Sequence, residues 1–112
     1  MFRDEAYFLD ILIAAKLAVS YVMGKTKETF LEDTVLQDAV IRRLEIIGEA
    51  TRRISDATKE GFPNFPWRMM VATRNALIHE YDDIDLETVW DTVLNDLPPL
   101  IVKLEKIVSL EE

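Results

Sequence analysis

Apolar residues recur every three or four positions along most of the chain, which is the spacing of one face of an α-helix. In the first segment these positions are Phe8, Ile11, Leu12, Ala15, Val19 and Val22. They predict a helix from about residue 4 to residue 23, with Asp4 as its N-cap and Gly24 as its C-terminal stop. Residues 25–33 are predicted to contain a turn and one short helical turn.

A second apolar stripe predicts a long helix from about residue 33 to residue 59. Its apolar positions are Val35, Leu36, Ala39, Val40, Leu44, Ile47, Ala50 and Ile54. Two prolines three residues apart, Pro63 and Pro66, predict a loop over residues 61–66. Pro66 suits the first turn of a third helix, which we expect from about residue 67 to residue 80.

The acidic stretch 82–85 is expected to end the third helix, and Asp85 is a good N-cap for a fourth helix from Leu86 onward. Pro98 and Pro99 each remove a backbone donor, so a kink or break is expected near Asp96. No segment alternates with a period of two. The predicted fold class is therefore all-α, a four- to five-helix up-and-down bundle formed by one domain, residues 1–112.

Composition excludes several kinds of chemistry. The chain has 112 residues, no Cys and one His, so a disulfide, a cysteine nucleophile or a multi-histidine metal site within one chain is impossible. The N-terminus lacks the basic region of a secretory signal, and the longest apolar stretch, residues 11–23, is too short and too polar to span a bilayer. We expect a cytoplasmic protein with no membrane span, no metal and no cofactor.

The formal charge of −8 is unevenly distributed. Residues 1–34 carry a net charge of −2, residues 35–81 carry +1, and residues 82–112 carry −7. This excludes a uniformly basic RNA-binding surface but leaves room for local contact with an anionic ligand.

The predicted second helix carries four arginines, Arg42, Arg43, Arg52 and Arg53. Arg42 and Arg53 are three turns apart and share a face, with Arg43 and Arg52 beside them. One interpretation is a solvated face with ion pairs such as Arg42 with Glu45 or Arg53 with Glu49. The other is a row of contacts to phosphate groups, and the sequence leaves both open.

The third helix places Arg74 within an apolar stripe formed by Trp67, Met70, Val71, Leu77, Ile78 and Tyr81. An arginine there must pair with a buried acceptor or face a cleft, since an unpaired buried guanidinium is costly. Asn75 and His79 lie four residues apart on a neighbouring strip. Arg74 and His79 are about 140° apart on an ideal helix, so they converge only if the arginine wraps round or a second chain completes a site. Spacing alone favours structural roles for Arg74 and His79 over a shared site.

The run from Arg74 to Tyr81 resembles the Arg-x4-His-x-Tyr motif of the HepT-like toxins, members of the HEPN superfamily. Residues 39–50, which end in Gly-Glu-Ala, are similar to the family's long second helix. Further similar features are Pro66-Trp67, Ile84-Asp85, Trp90 and Leu97-Pro98, so the resemblance covers nearly the whole chain.

The resemblance implies a metal-independent endoribonuclease that forms a homodimer with the two motifs facing each other. His79 would act as base or acid near neutral pH, and Arg74 would hold the scissile phosphate. Asn75 would orient His79 or the phosphate. The two chains of the dimer would together supply two arginines and two histidines.

The resemblance also implies a partner. The chain would be the toxin of a type VII-like toxin–antitoxin pair, and a small nucleotidyltransferase antitoxin would transfer AMP to Tyr81. The alternative for Tyr81 is an aromatic side chain that closes the helix end against the core. Glu49 either pairs with Arg53 at the surface or serves as a partner of Arg74. A second hypothesis for the whole protein is a non-catalytic helical module that recruits a nucleotidyltransferase or its substrate.

Overall fold

The structure is a computed structural model that describes residues 4–71 and 84–110. Within these ranges every regular element is a helix, which confirms the predicted all-α class. The α-helices are α1 (Glu5–Val22), α2 (Lys27–Glu32), α3 (Thr34–Arg53), α4 (Asp56–Gly61), α5 (described over residues 67–71), α6 (Leu86–Asp91) and α7 (Leu97–Leu110). A π-helical segment, Thr92–Asp96, joins α6 to α7.

The core forms where α1 packs against α3 and α7. Phe8 of α1 is fully buried and meets three other aromatic rings edge-on, those of Phe62, Phe65 and Trp67, with centroids 5.7 to 6.1 Å away. A second aromatic contact, between Phe30 of α2 and Trp90 of α6, joins rings 5.4 Å apart. Most positions of the two predicted apolar faces therefore do form the core. Val35 is an exception: it lies in the first turn of α3 and is 80 % exposed, so its predicted place in the core is wrong.

The predicted long helix ends earlier than expected. It stops at Arg53, and a separate helix, α4, begins two residues after Ile54. Ser55 caps α4 by accepting a hydrogen bond from the Thr58 N–H at 3.2 Å. The backbone N–H and the hydroxyl of Ser55 both donate to Asp4, at 2.9 and 2.8 Å. These bonds hold Ser55 outside the helical ladder, which is why the long helix divides here.

This contact also corrects the predicted role of Asp4. The residue precedes α1 as expected, but its side chain makes no capping hydrogen bond to that helix. Its carboxylate is instead buried, with 3 % of the residue exposed, and accepts from Ser55. The sequence therefore predicted the helix start correctly and the use of the carboxylate wrongly.

Gly24 ends α1 as predicted. Its φ of +76° lies in the left-handed region that residues other than glycine rarely adopt. Met23 before it has φ −60° and ψ 128°, and Lys25 N–H donates to the Val22 carbonyl at 2.9 Å. This is the geometry of a type II turn, which reverses the chain toward α2.

The predicted disturbance near Asp96 is a π-helical segment rather than a break. Leu97 N–H reaches back five residues to the Thr92 carbonyl. Pro98 and Pro99 follow directly as the second and third residues of α7, and neither can donate a backbone hydrogen bond to the turn before it. The wider turn lets the chain remain helical from α6 through α7 despite the two prolines. None of the described helices is long and apolar enough to cross a membrane.

Candidate active site

The four predicted site residues of the third helix are Arg74, Asn75, His79 and Tyr81. All four lie within residues 72–83, outside the described residues. The structure therefore describes the residues on either side of this segment. It also describes the α3 arginines.

The N-terminal end of the segment is anchored by α5. Met70 N–H donates to the Pro66 carbonyl at 3.3 Å, so Pro66 precedes the helix by one residue and accepts its first hydrogen bond. The indole N–H of Trp67 donates to the Phe62 carbonyl at 2.9 Å. The ammonium of Lys59 lies 5.9 Å from the centre of the Trp67 ring. These contacts fix both the position and the direction in which α5 begins.

Tight packing holds the next turn of α5. Met70 is 1 % exposed and lies with Met69 beside Leu44 and Ile47 of α3. The small cavity between these side chains, closed on its other sides by Thr92, Leu97 and Leu100, measures about 10 Å³. This space holds at most a single water molecule. The turn of α5 that precedes residues 72–83 is therefore tightly packed against α3.

The C-terminal end of the segment leads into a strong helix cap. The carboxylate of Asp85 accepts hydrogen bonds from the N–H groups of Glu87 and Thr88 and from the Thr88 hydroxyl, at 3.1, 3.2 and 2.9 Å. The hydroxyl of Thr88 contributes most to lowering the pKa of Asp85 below its ordinary value of 3.8, and the Thr88 and Glu87 N–H groups act in the same direction. Asp85 is thus the N-cap that the sequence predicted.

The α3 arginines do not form a single row. Arg42 and Arg53 differ by about 20° around the helix, whereas Arg43 and Arg52, nine residues apart, point about 180° away from each other. Arg43 is half-buried, and its Nε has no hydrogen-bond partner among the described residues. Arg52 and Arg53 are exposed. A single phosphate backbone following this helix would meet Arg42 and Arg53 together.

One of the two expected ion pairs on α3 is present. Arg42 lies 3.5 Å from Glu45, one turn later. The expected pair of Glu49 with Arg53 is absent from the ion pairs of the described residues, and that prediction is wrong. Exposed pairs contribute only about 0.2–1 kcal/mol, which is too little to hold two long side chains against solvation and rotamer entropy. The alternative for Glu49, contact with Arg74, involves a residue outside the described part.

Sequence reasoning missed two features of the described residues. It did not anticipate the Asp4–Ser55 contact, which local capping rules cannot show because the residues are 51 positions apart. It also gave no role to Lys103 and Lys106, the only basic residues after position 81. Both line a groove beside residues 61–65. In the two described ranges no three His, Asp or Glu side chains are grouped to hold a metal ion.

Over the described residues the fold is all-α, and α5 and α6 lie on either side of the segment 72–83 that contains the predicted motif. The family model "Ribonuclease HepT-like" matches residues 11–107, which is most of the chain. The chain belongs to the HepT-like ribonuclease family. This confirms the predicted family and the predicted enzyme class, ribonuclease.

Individual relatives agree with this assignment. The chain is 43% identical over 101 residues to a protein from Thermococcus cleftensis named "Probable ribonuclease HepT", covering 90% of this chain and 92% of the relative. A protein from Methanocaldococcus jannaschii with a provisional RNase name is 40% identical over 104 residues, 92% and 95% of the two chains. Another, from Caldanaerobacter subterraneus, is 33% identical over 112 residues, the full length of both. No solved structure gives a significant match.

Proposed function

We propose that the chain is the toxin of a type VII-like toxin–antitoxin pair and acts as a metal-independent endoribonuclease. The observation that carries this proposal is the intact Arg74-x4-His79-x-Tyr81 motif in a chain of the HepT-like ribonuclease family. The contacts on either side of residues 72–83 support the proposal. The hydrogen bond of Trp67 fixes the start of α5, and the Asp85 cap fixes the start of α6. A site supported by rigid elements keeps its side chains within reach of productive geometry.

The proposed reaction is attack of a ribose 2′-oxygen on the adjacent phosphorus. His79 takes the 2′-OH proton as the 2′-oxygen bonds to phosphorus, the P–O5′ bond breaks, and the leaving 5′-oxygen takes a proton from the protonated histidine of the second chain. Arg74 binds the phosphate through two N–H groups and stabilises the charge that develops on it. Asn75 orients His79 or the phosphate. The products are a 2′,3′-cyclic phosphate and a 5′-hydroxyl.

A homodimer completes the site. Each chain has one histidine, which cannot be base and acid in the same step unless it shuttles a proton. Two facing chains supply a second histidine and a second arginine to one cleft. Arg42 and Arg53, which share a face of α3, are candidates for RNA contact outside this cleft. Arg43 and Arg52, on the two sides of that helix face, are further candidates.

Tyr81 is the proposed site at which a partner protein blocks the ribonuclease activity. A nucleotidyltransferase antitoxin would transfer AMP from ATP to the phenol oxygen, releasing pyrophosphate and the phenol proton. The adduct would place a phosphate and an adenine two residues from His79. It would block the cleft and repel RNA phosphate. Mass spectrometry after incubation with the partner and ATP should show one added AMP on the wild type and none on Tyr81→Phe; an unchanged wild-type mass would contradict this step.

A growth assay separates the enzyme from a non-catalytic module. Expression of the chain alone should arrest growth, and Arg74→Ala or His79→Ala should each restore it. Co-expression of the nucleotidyltransferase should also restore growth to cells that carry the wild type. A harmless wild type, or toxicity retained by both variants, would favour a module that recruits a nucleotidyltransferase or its substrate.

A further inference from the structure

A groove opens between the loop after α4 and the outer face of α7. It has a volume of about 460 Å³ and is lined by Gly61, Phe62, Pro63, Asn64, Phe65, Lys103, Lys106 and Ile107. This volume falls within the range of about 300–1,000 Å³ that is usual for sites that bind small molecules or ligand segments. None of its lining residues belongs to the predicted motif.

The floor of the groove is apolar and firmly held. Phe65 is 7 % exposed and packs against Trp67, with ring centroids 4.7 Å apart. Phe62 is only half-buried, and its carbonyl accepts the hydrogen bond from the Trp67 indole. The loop is therefore attached to the first residue of α5, seven positions before Arg74 in the sequence.

The rim of the groove is basic in an otherwise acidic part of the chain. Residues 84–110 contain five carboxylates and only two cations, and both cations, Lys103 and Lys106, line this groove. The ammonium of Lys103 reaches the Asn64 carbonyl at 3.5 Å. Neither lysine forms an ion pair with a carboxylate of the described residues. Glu105, which lies between them in sequence, pairs with Lys16 at 3.7 Å. Both positive charges are thus available to an anion.

We propose that this groove binds a single-stranded segment of the RNA substrate. This inference rests on the proposed ribonuclease function and deepens it. One base packs on the exposed part of Phe62, and the flanking phosphate lies between Lys103 and Lys106. Stacking on an aromatic ring beside a positively charged track is the usual mode for single strands and requires little sequence preference. An acidic peptide would use the two lysines but would leave the aromatic floor without a planar partner.

Binding and cleavage must be measured separately, so the test uses fluorescence anisotropy of a labelled single-stranded RNA in EDTA. The protein is the full chain with His79→Ala, which removes cleavage. Lys106→Glu in this background is compared with Lys25→Glu, which makes the same change of charge at an exposed loop residue outside the groove. Phe62→Leu tests the aromatic floor while it keeps an apolar side chain. Circular dichroism confirms that each variant is folded.

Lys106→Glu should weaken RNA binding several-fold and reduce the slope of log affinity against log salt by about 0.7, the value for one phosphate contact on a single strand. Phe62→Leu should weaken binding with little change in slope. Equal weakening by Lys106→Glu and Lys25→Glu would show a general charge effect and overturn the proposal. A folded Phe62→Leu with unchanged affinity would also overturn it, and would favour an acidic peptide as the ligand.

These measurements separate failure of the groove proposal from failure of the proposed ribonuclease function. If the wild type cleaves RNA but Lys106→Glu and Phe62→Leu bind as the control does, the groove proposal fails alone. If no cleavage is found, the anisotropy series still shows whether the groove binds RNA. A readout of position comes from 4-thiouridine in the RNA, which should crosslink to peptides containing residues 61–65 or 103–107.

Discussion

The carboxylate of Asp4 accepts two hydrogen bonds from Ser55, one from its backbone N–H at 2.9 Å and one from its hydroxyl at 2.8 Å. The contact joins the start of α1 to the corner between α3 and α4, across 51 residues of sequence. It shapes the fold in two ways, since it both ends the long helix at Arg53 and buries a carboxylate beside the core.

Asp4→Ala should destabilise the protein by about 1–3 kcal/mol, because it removes the buried carboxylate that accepts two hydrogen bonds from Ser55. Urea unfolding followed by circular dichroism measures the change. Asp10→Ala removes an exposed carboxylate from the same helix and should change stability little. Equal losses in the two variants would mean that the Ser55 contact contributes nothing specific.

Phe8→Ala should cost about 3–5 kcal/mol, since the ring is fully buried and contacts three other aromatic side chains. The neighbouring Leu9 is 42 % exposed, so Leu9→Ala is a matched control with a small expected effect. Phe8→Leu, which leaves a smaller cavity, should lie between the two. The account of the core is contradicted if Leu9→Ala is as harmful as Phe8→Ala.

Acid should weaken the Asp85 cap. The pKa of Asp85 is lower in the folded chain than its ordinary value of 3.8, so the folded state favours the ionised form. The resulting stabilisation is present above about pH 4 and is lost as the pH falls through the lowered pKa of the folded state. Thermal unfolding across the acid range should therefore show a steeper decline for the wild type than for Asp85→Asn, whose side chain cannot ionise. Asp91→Asn, at an exposed residue of α6, should keep the steep decline.

The two arginines that share a face of α3 should contribute unequally to RNA binding. Arg42 is 3.5 Å from Glu45, which offsets part of its charge, whereas Arg53 has no ion pair within the described residues. Arg53→Gln should therefore weaken binding of single-stranded RNA, and reduce its salt dependence, more than Arg42→Gln does. Anisotropy titrations at several salt concentrations give both quantities. Equal small effects would mean that this face of α3 lies off the RNA path.

Local sequence signals predicted those parts of the fold that depend on nearby residues. Gly24 stops α1 through its own backbone conformation, and Asp85 caps α6 through residues two and three positions later. The division of α3 from α4 was not predictable in the same way, because it depends on Asp4 at the other end of the core. The π-helical segment shows an intermediate case, in which the prolines indicated a disturbance but not its form.

The candidate site likewise has features that are visible in the sequence and features that depend on distant residues. The motif from Arg74 to Tyr81 is visible in the sequence and stays a prediction; the family model spans these residues. The groove was not visible, because Phe62 and Lys106 are brought together only when α7 packs beside the loop after α4. The arrangement of the four arginines, in contrast, was visible, because Arg42 and Arg53 share a face by spacing and α3 is one regular helix over all four.

The most direct test of the central claim is analysis of the RNA ends that the purified chain produces in EDTA. The account predicts cleavage to 2′,3′-cyclic phosphate and 5′-hydroxyl ends by the wild type, and none by His79→Ala or Arg74→Ala folded to the same extent. Intact RNA with the wild type would contradict the ribonuclease function. Cleavage that persists in His79→Ala would contradict the mechanism, even with the activity itself established.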